Sequence, residues 1–367
     1  MRAVRLHGFD DLRVDEIPDP GCGPDDVIVD VRCVQLSVTE AMLIAGDDVA
    51  MHDELAARMA EGPVQFGGHE FAGVVSEVGH AVTGVAVGDR VTAVETLPCG
   101  RCRSCLRGRG DGCLRPDVVG FTRPGALAER VAVPARAVVP VPDSVTFSAA
   151  AAVQPLAGAV HTHAALGVVP GESMLVIGGG VMGLLAVAVA RCGNVGTLLL
   201  GTRSARKRDL ARQFGADVVV DAAEDLVGTT LDATDGAGAD VVVETAGGSS
   251  SVGLAGTATV ETAVRAARRG GRIAIVSVLP ARAELPAGLM REKALTLVHP
   301  RSGAGYYAQH TSVFEHALTL IGRGDVDVEA LVTHRVDGLD ATREALAITV
   351  DKARYGAINP AQIVLAP

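Results

Sequence analysis

The run MLVIGGGVMGLLAVAVA, from Met174 to Ala190, leaves this chain few folds to choose from. SMLVIG reads as a buried strand, and three consecutive glycines stop it. The apolar residues from Val181 to Arg191 then read as a helix. Gly178, Gly180 and Gly183, with Val181 and Met182 between them, fit G-x-G-x-x-G. That pattern is weak alone, but between a strand and a helix it gains weight. The first glycine permits the tight turn, the second lets backbone approach a pyrophosphate, and the third lets helix and strand touch. The N–H groups that open the helix then face the phosphates. A membrane span needs ~20 unbroken apolar residues, and the glycines divide this run, so no membrane partner is expected.

Alternating strands and helices continue beyond it. TLLLGT, DVVV to Val220, ADVVVETAG to Gly247, GRIAIVS to Ser277 and LTLVHP to Pro300 read as further strands. They predict an α/β fold, a doubly wound parallel sheet in the order 3-2-1-4-5-6. The small residues of ETAGG, Ala246 among them, suit close approach of a nicotinamide ribose. After TLLLG an NAD site usually carries an acidic residue for the ribose hydroxyls. Here Thr202, Arg203 and Ser204 follow, with Lys207 close behind and no carboxylate to repel a 2′-phosphate. Arg203 can pair with that phosphate and stack on adenine. NADP(H) is the expected cofactor, while Arg206 and Arg208 read as a solvated helix face.

A second constraint is PCGRCRSCLRGRGDGC, Pro98 to Cys113. Gaps of two residues are too short for unstrained disulfides, and a reducing compartment disfavours them. Cys99, Cys102, Cys105 and Cys113 are spaced instead to wrap one tetrahedral zinc as a closed, structural site. Arg101, Arg103, Arg107 and Arg109 are expected to offset the thiolate charge. Cys22, Cys33 and Cys192 read as ordinary small residues.

The 367 residues suit two domains, and a net charge of −10 argues against a nucleic-acid partner. MRAVRLHGFD has no apolar core of a signal peptide, so a cytoplasmic location is expected.

GGHEFAGVVSEVG, GVAVGDRV, the cysteine lobe, the glycine fingerprint and a closing NPAQIVL occur in that order. Together they resemble the medium-chain dehydrogenase/reductase family, the zinc-type alcohol and polyol dehydrogenases. The resemblance implies a β-rich, chaperonin-10-like (GroES-like) catalytic domain, residues 1–153 plus 301–367, with a Rossmann domain, 154–300, inserted in it. It implies a small-molecule substrate and a homodimer or homotetramer. It also implies a second, catalytic zinc at the interdomain cleft, and there the chain departs from the pattern. The family's C-x-[ST]-D-x-H stretch is Ser37-Val38-Thr39-Glu40-Ala41-Met42. The first ligand has become Ser37 and the relay histidine Met42. His69 and Glu70 match the next ligands, and Gln154 stands where the polyol branch often has glutamate. A hydroxyl holds zinc far more weakly than a thiolate, so the catalytic zinc is expected to be absent. Thr39, matching the family's relay hydroxyl, is the first candidate proton donor, with His69 and Glu70 beside it.

These residues predict an NADP(H)-dependent oxidoreductase acting on a carbonyl, imine or conjugated C=C. One alternative is a zinc-dependent alcohol or polyol dehydrogenase using Ser37, His69 and Glu70. Another is a non-catalytic NADPH-binding sensor or structural protein. The stretch 47–66 is longer than in short alcohol dehydrogenases and reads as substrate-shaping, although His52 there has no evident partner. His161 and His163 read as helix residues. Tyr306 and Tyr307 are possible cleft residues.

Overall fold

Near-continuous apolar runs make strands that must be covered on both faces, and here they form one parallel sheet. The computed structural model describes residues 1–366 apart from 50, 223, 249–255, 280, 281, 301–305, 309 and 310. The strands are β1 (Met174–Ile177), β2 (Leu198–Gly201), β3 (Val218–Val220), β4 (Ala239–Glu244), β5 (Ala267–Ile275) and β6 (Thr296–Val298). They lie in the order β3-β2-β1-β4-β5-β6, every pair parallel, which is the doubly wound order expected. Leu175, Ile177, Leu199, Val242 and Ile273 lie in its core. The sequence reading carried β4 to Gly247 and β5 to Ser277. Both strands stop earlier, because the Glu244 carboxylate draws in the N–H groups of Ala246 and Gly247 after β4 and the Ser277 hydroxyl after β5.

The chain divides into two units, Met1–Gln154 with Ala317–Pro367, and Pro155–Ser302 with Tyr306–His316. The first unit is β-rich. Its principal sheet runs Val138–Pro140, Arg90–Ala93, Glu70–Val78, Asp26–Gln35, Gln362–Val364, Arg335–Asp337, with Arg130–Pro134 also on Asp26–Gln35. The C-terminal return therefore enters the sheet itself: Gln362, Ile363 and Val364 pair antiparallel with Gln35, Val34 and Cys33. Phe66, Phe71, Leu36, Leu43 and Leu127 fill the core beneath.

The long stretch contains a helix, His52–Ala60, that buries Leu55 against the first unit's core. His52 has a partner after all, since its ring stacks on Phe9 at 4.8 Å between centroids. His161 and His163 lie in the Val153–Leu166 helix, as expected. The side chains of Tyr306 and Tyr307 lie outside the described residues. Among the described residues no helix is long and apolar enough to cross a membrane.

Candidate active site and cofactor crevice

Ser37 ends an extended segment and begins the Val38–Ala45 helix. Its hydroxyl accepts from the Glu40 N–H at 3.0 Å, and the Glu40 carboxylate accepts from the Ser37 N–H at 2.9 Å, a reciprocal capping box. The box turns Glu40 inward, where it is fully buried, and leaves Thr39 exposed. The other Glu40 oxygen meets the Gly68 N–H at 2.7 Å and His69 Nδ1 at 2.7 Å. Gly68 must be glycine here: its φ is +78°, and a β-carbon would stand 2.4 Å from the Leu127 nitrogen.

His69 thus comes to lie between two carboxylates. Its Nε2 faces Glu70 Oε1 at 3.6 Å, and its ring leans on Phe121 at 5.0 Å. Glu70 opens the Glu70–Val78 strand opposite Gln35, whose side-chain amide donates to it at 2.5 Å. Asn359, from the C-terminal return, in turn donates to Gln35 at 2.6 Å. Gln154 reaches Glu95 at 3.4 Å, and Glu95 is buried close enough to act on both His69 and Glu70. Arg58, from the long stretch, donates to the carbonyl of Phe121 and so braces the aromatic wall beside His69.

Three buried glutamates around one imidazole set the protonation. Burial disfavours the charged His69, but the charge and hydrogen bond of Glu40, with Glu70 and Glu95 behind, outweigh it and raise the imidazole to about 9. Burial also raises Glu70, helped by Glu40 and Glu95 against His69 and Gln35, to about 8. Burial opposes ionisation of Glu40, yet contact with His69 and the N–H groups around it holds it below the usual carboxylate range. These directions favour an imidazolium–carboxylate pair of His69 and Glu40 beside a protonated Glu70.

In the second unit Gly180 precedes the Val181–Cys192 helix, and no side chain caps it. A β-carbon at Gly183 would stand 1.8 Å from the Gly178 carbonyl oxygen, so helix and strand need that glycine to pack. Gly180 is different: a β-carbon there meets nothing within 4 Å, so the protein's own packing does not require glycine. The space belongs to whatever lies against the first turn, and the uncapped N–H groups there fit a pyrophosphate. At the end of β2, Thr202 is buried and Arg203 exposed. Lys207 is half-buried and makes no ion pair or hydrogen bond among the described residues; burial and then Arg203 lower its pKa. Arg208 is not a solvated residue as expected, for it pairs with Asp221 at 2.8 Å and reaches the Thr202 carbonyl. The Ala246 N–H is turned to Glu244 at 2.7 Å, so the approach of a ribose there rests on small size rather than on a free donor.

In the lobe the four cysteine sulfurs all lie within 4.8 Å of one another. Tetrahedral zinc with Zn–S of ~2.3 Å requires sulfurs ~3.8 Å apart, so Cys99, Cys102, Cys105 and Cys113 fit it. Cys102 is drawn down to about 6, chiefly by the N–H groups of Cys105 and Leu114. Arg109 does not serve the thiolates as expected; Asp111, two residues on, captures it at 2.7 Å.

Comparison with known proteins agrees with both halves of this description. Residues 23–143 match the alcohol dehydrogenase GroES-like domain, and residues 181–322 match the zinc-binding dehydrogenase domain. L-threonine 3-dehydrogenase of Rhizobium etli (strain CIAT 652) is 31% identical over 341 residues, 90% of this chain and 92% of that one. The enzyme of that name from Sinorhizobium medicae (strain WSM419) is 33% identical over 342 residues, again 90% and 92%. The chain belongs to the zinc-type medium-chain dehydrogenase/reductase family. Among solved structures, a zinc-binding dehydrogenase from Sinorhizobium meliloti 1021 bound to NADP superposes with a TM-score of 0.83 at 29% identity, over 100% of this chain and 99% of that one. Galactitol-1-phosphate dehydrogenase from Escherichia coli gives 0.83 at 25% identity, over 100% of both. The protein is therefore an oxidoreductase with a GroES-like domain and a Rossmann domain.

Of the three residues that match the family's catalytic zinc ligands, His69 Nε2 and Glu70 Oε1 face each other at 3.6 Å, and Ser37 contributes a hydroxyl where the family has a thiolate. The Ser37 hydroxyl accepts the helix-capping bond, and Glu40 holds His69 at Nδ1, which leaves Nε2 as the ring nitrogen facing Glu70. Among the described residues the four lobe cysteines are the one group of three or more His, Cys, Asp or Glu side chains placed to hold an ion. Sequence reasoning placed Thr39 first and passed over Gln35, Glu40 as a direct partner of His69, Glu95 and Asn359. The available signal was polarity in apolar surroundings, as at Gln35 in DVIVDVRCVQL and Glu40 before AMLIA.

Proposed function

We propose that this oxidoreductase uses NADP(H) and reduces a small carbonyl, imine or conjugated C=C without a catalytic zinc, with His69 as proton donor. The observation that carries the reading is the placement of His69, charged by Glu40 on one ring nitrogen and facing Glu70 on the other. Bound NADPH supplies the hydride. His69 supplies the proton from Nε2 to the atom left electron-rich, while Glu40 keeps Nδ1–H and the ring orientation fixed. Glu70, carrying its own proton near neutral pH, stands 3.6 Å away to restore it. Gln35 and Asn359 hold Glu70 from behind. The choice of NADP(H) over NAD(H) rests on Arg203 and on Lys207, a half-buried cation in the helix after β2 that makes no ion pair among the described residues. Cys99, Cys102, Cys105 and Cys113 hold a structural zinc in this reading.

The test combines metal analysis with turnover. Protein purified without added metal is expected to hold about one zinc per chain, as a single four-thiolate site requires. It should oxidise NADPH with some member of a panel of aldehydes, ketones, imines and enones, and brief EDTA treatment should leave the rate unchanged. About two zinc ions per chain with chelator-sensitive rates would overturn the zinc-free reading in favour of Lewis-acid chemistry. NADPH binding with no turnover across the panel would overturn the enzymatic one.

A further inference from the structure

In a doubly wound sheet a dinucleotide lies across the point where the strand order reverses, here between β1 and β4. With the pyrophosphate at Gly180–Gly183 and the adenosine end beside Thr202 and Arg203, the nicotinamide end falls at the turn that follows β4. That turn has an unusual floor. Glu244, the last residue of β4, is fully buried, and no cationic side chain reaches it among the described residues. Every partner of its carboxylate is a donor. One oxygen accepts from the N–H groups of Ala246 and Gly247, each at 2.7 Å, and the other accepts from the Ser277 hydroxyl. The neighbouring Thr245 is tied to the fingerprint turn, its N–H and its hydroxyl both donating to the Ile177 carbonyl at 2.9 Å. The two turns touch: a β-carbon at Gly178 would lie 2.9 Å from that of Ala246.

An uncompensated buried carboxylate is costly unless its oxygens are well used. A glutamine would accept through one oxygen only and an apolar residue through none. The requirement served here is the shape of the Ala246–Gly247 turn. We infer that Glu244 is a positioning residue for the nicotinamide half of the cofactor, curling the Ala246–Gly247 turn under itself and bracing it through Ser277. Its role depends on the cofactor reading above, and it concerns one half of the dinucleotide only.

That selectivity supplies the test. NADPH and 2′-phospho-ADP-ribose, the fragment lacking nicotinamide, are titrated against wild type, Glu244→Leu, Glu244→Gln and Ser277→Ala by calorimetry. Glu244→Leu is expected to weaken NADPH about tenfold, the scale of buried N–H groups left without an acceptor, and to leave the fragment within about twofold. Glu244→Gln, which keeps an acceptor oxygen, should recover most of the loss. If Glu244→Leu does not fold, Ser277→Ala carries the test, with a selective loss of about threefold expected for removal of one bond. Equal losses for both ligands would mean a general structural role and overturn the inference, as would unchanged NADPH affinity. Wild type that binds neither ligand would bring down the cofactor reading itself.

Discussion

The cysteine lobe and the His69 pocket meet the same difficulty, negatively charged ligand atoms crowded together, in opposite ways. In the lobe, one segment from Cys99 to Cys113 gathers four sulfurs that suit a single cation. In the pocket, Glu40, Glu70 and Glu95 come from three separate stretches of the chain, and their charges together with burial favour protonation of His69 and Glu70. In the reading proposed above, one site suits an ion and the other movable hydrogen. The difference lies in donor chemistry. Clustered thiolates suit a cation such as zinc, whereas a carboxylate–imidazole cluster can hold protons near neutral pH and give one away.

The largest effect that would break this contrast is expected in the lobe. Cys102→Ser should reduce zinc retention on the order of a hundredfold or more, read by metal analysis, with a lower Tm by calorimetry. Retention of a full zinc equivalent would place the ion elsewhere and erase the distinction. Next is His69→Ala, expected to lower kcat by ~10²–10⁴-fold, the usual worth of a positioned acid, with zinc content unchanged. Loss of zinc in that variant would make the pocket a metal site. Glu40→Gln removes the charge that sustains the imidazolium and should cost about 10–100-fold in kcat.

The pH dependence sharpens the same point. In wild type, NADPH-driven reduction should hold level below neutrality and decline as pH climbs through about 8 to 9, where Glu70 and His69 give up their protons. In Glu40→Gln the decline should begin nearer the ordinary histidine value of ~6.5. Stability follows the same sign: the Glu40–His69 pair contributes fully below the unfolded histidine value and loses that contribution as pH rises through about 9. The smallest effect belongs to Arg109→Ala. Its partner is Asp111 at the surface, so zinc content and Tm should remain at wild-type values.

The two regions also differ in how far the chain's letters disclose them. Cys99 to Cys113 could be read as a metal loop because local spacing alone brings the sulfurs together. The parallel sheet was equally legible, since apolar runs and the Gly178–Gly183 turn are local signals. The pocket was half legible: His69 and Glu70 stand side by side, and the loss of thiolate at Ser37 was visible. What it took the fold to reveal was that a capping box exposes Thr39 and buries Glu40. Gln35 and Asn359 escaped for the same reason, since their contact spans 324 residues and no periodicity encodes it. The role expected of Arg109 was not legible, because Asp111, two residues on, pairs with it.

The pairing of Gln362–Val364 with Gln35–Cys33 has a consequence for how the molecule is made. All six parallel strands have emerged from the ribosome before residue 300, and they can pair among themselves at once. The β-rich unit must wait with a gap in its main sheet until residue 364 emerges, whereas the parallel sheet need not. A truncation that removes only the last few strand residues should therefore leave the parallel sheet intact and the sheet that carries Gln35 and Glu70 unfinished.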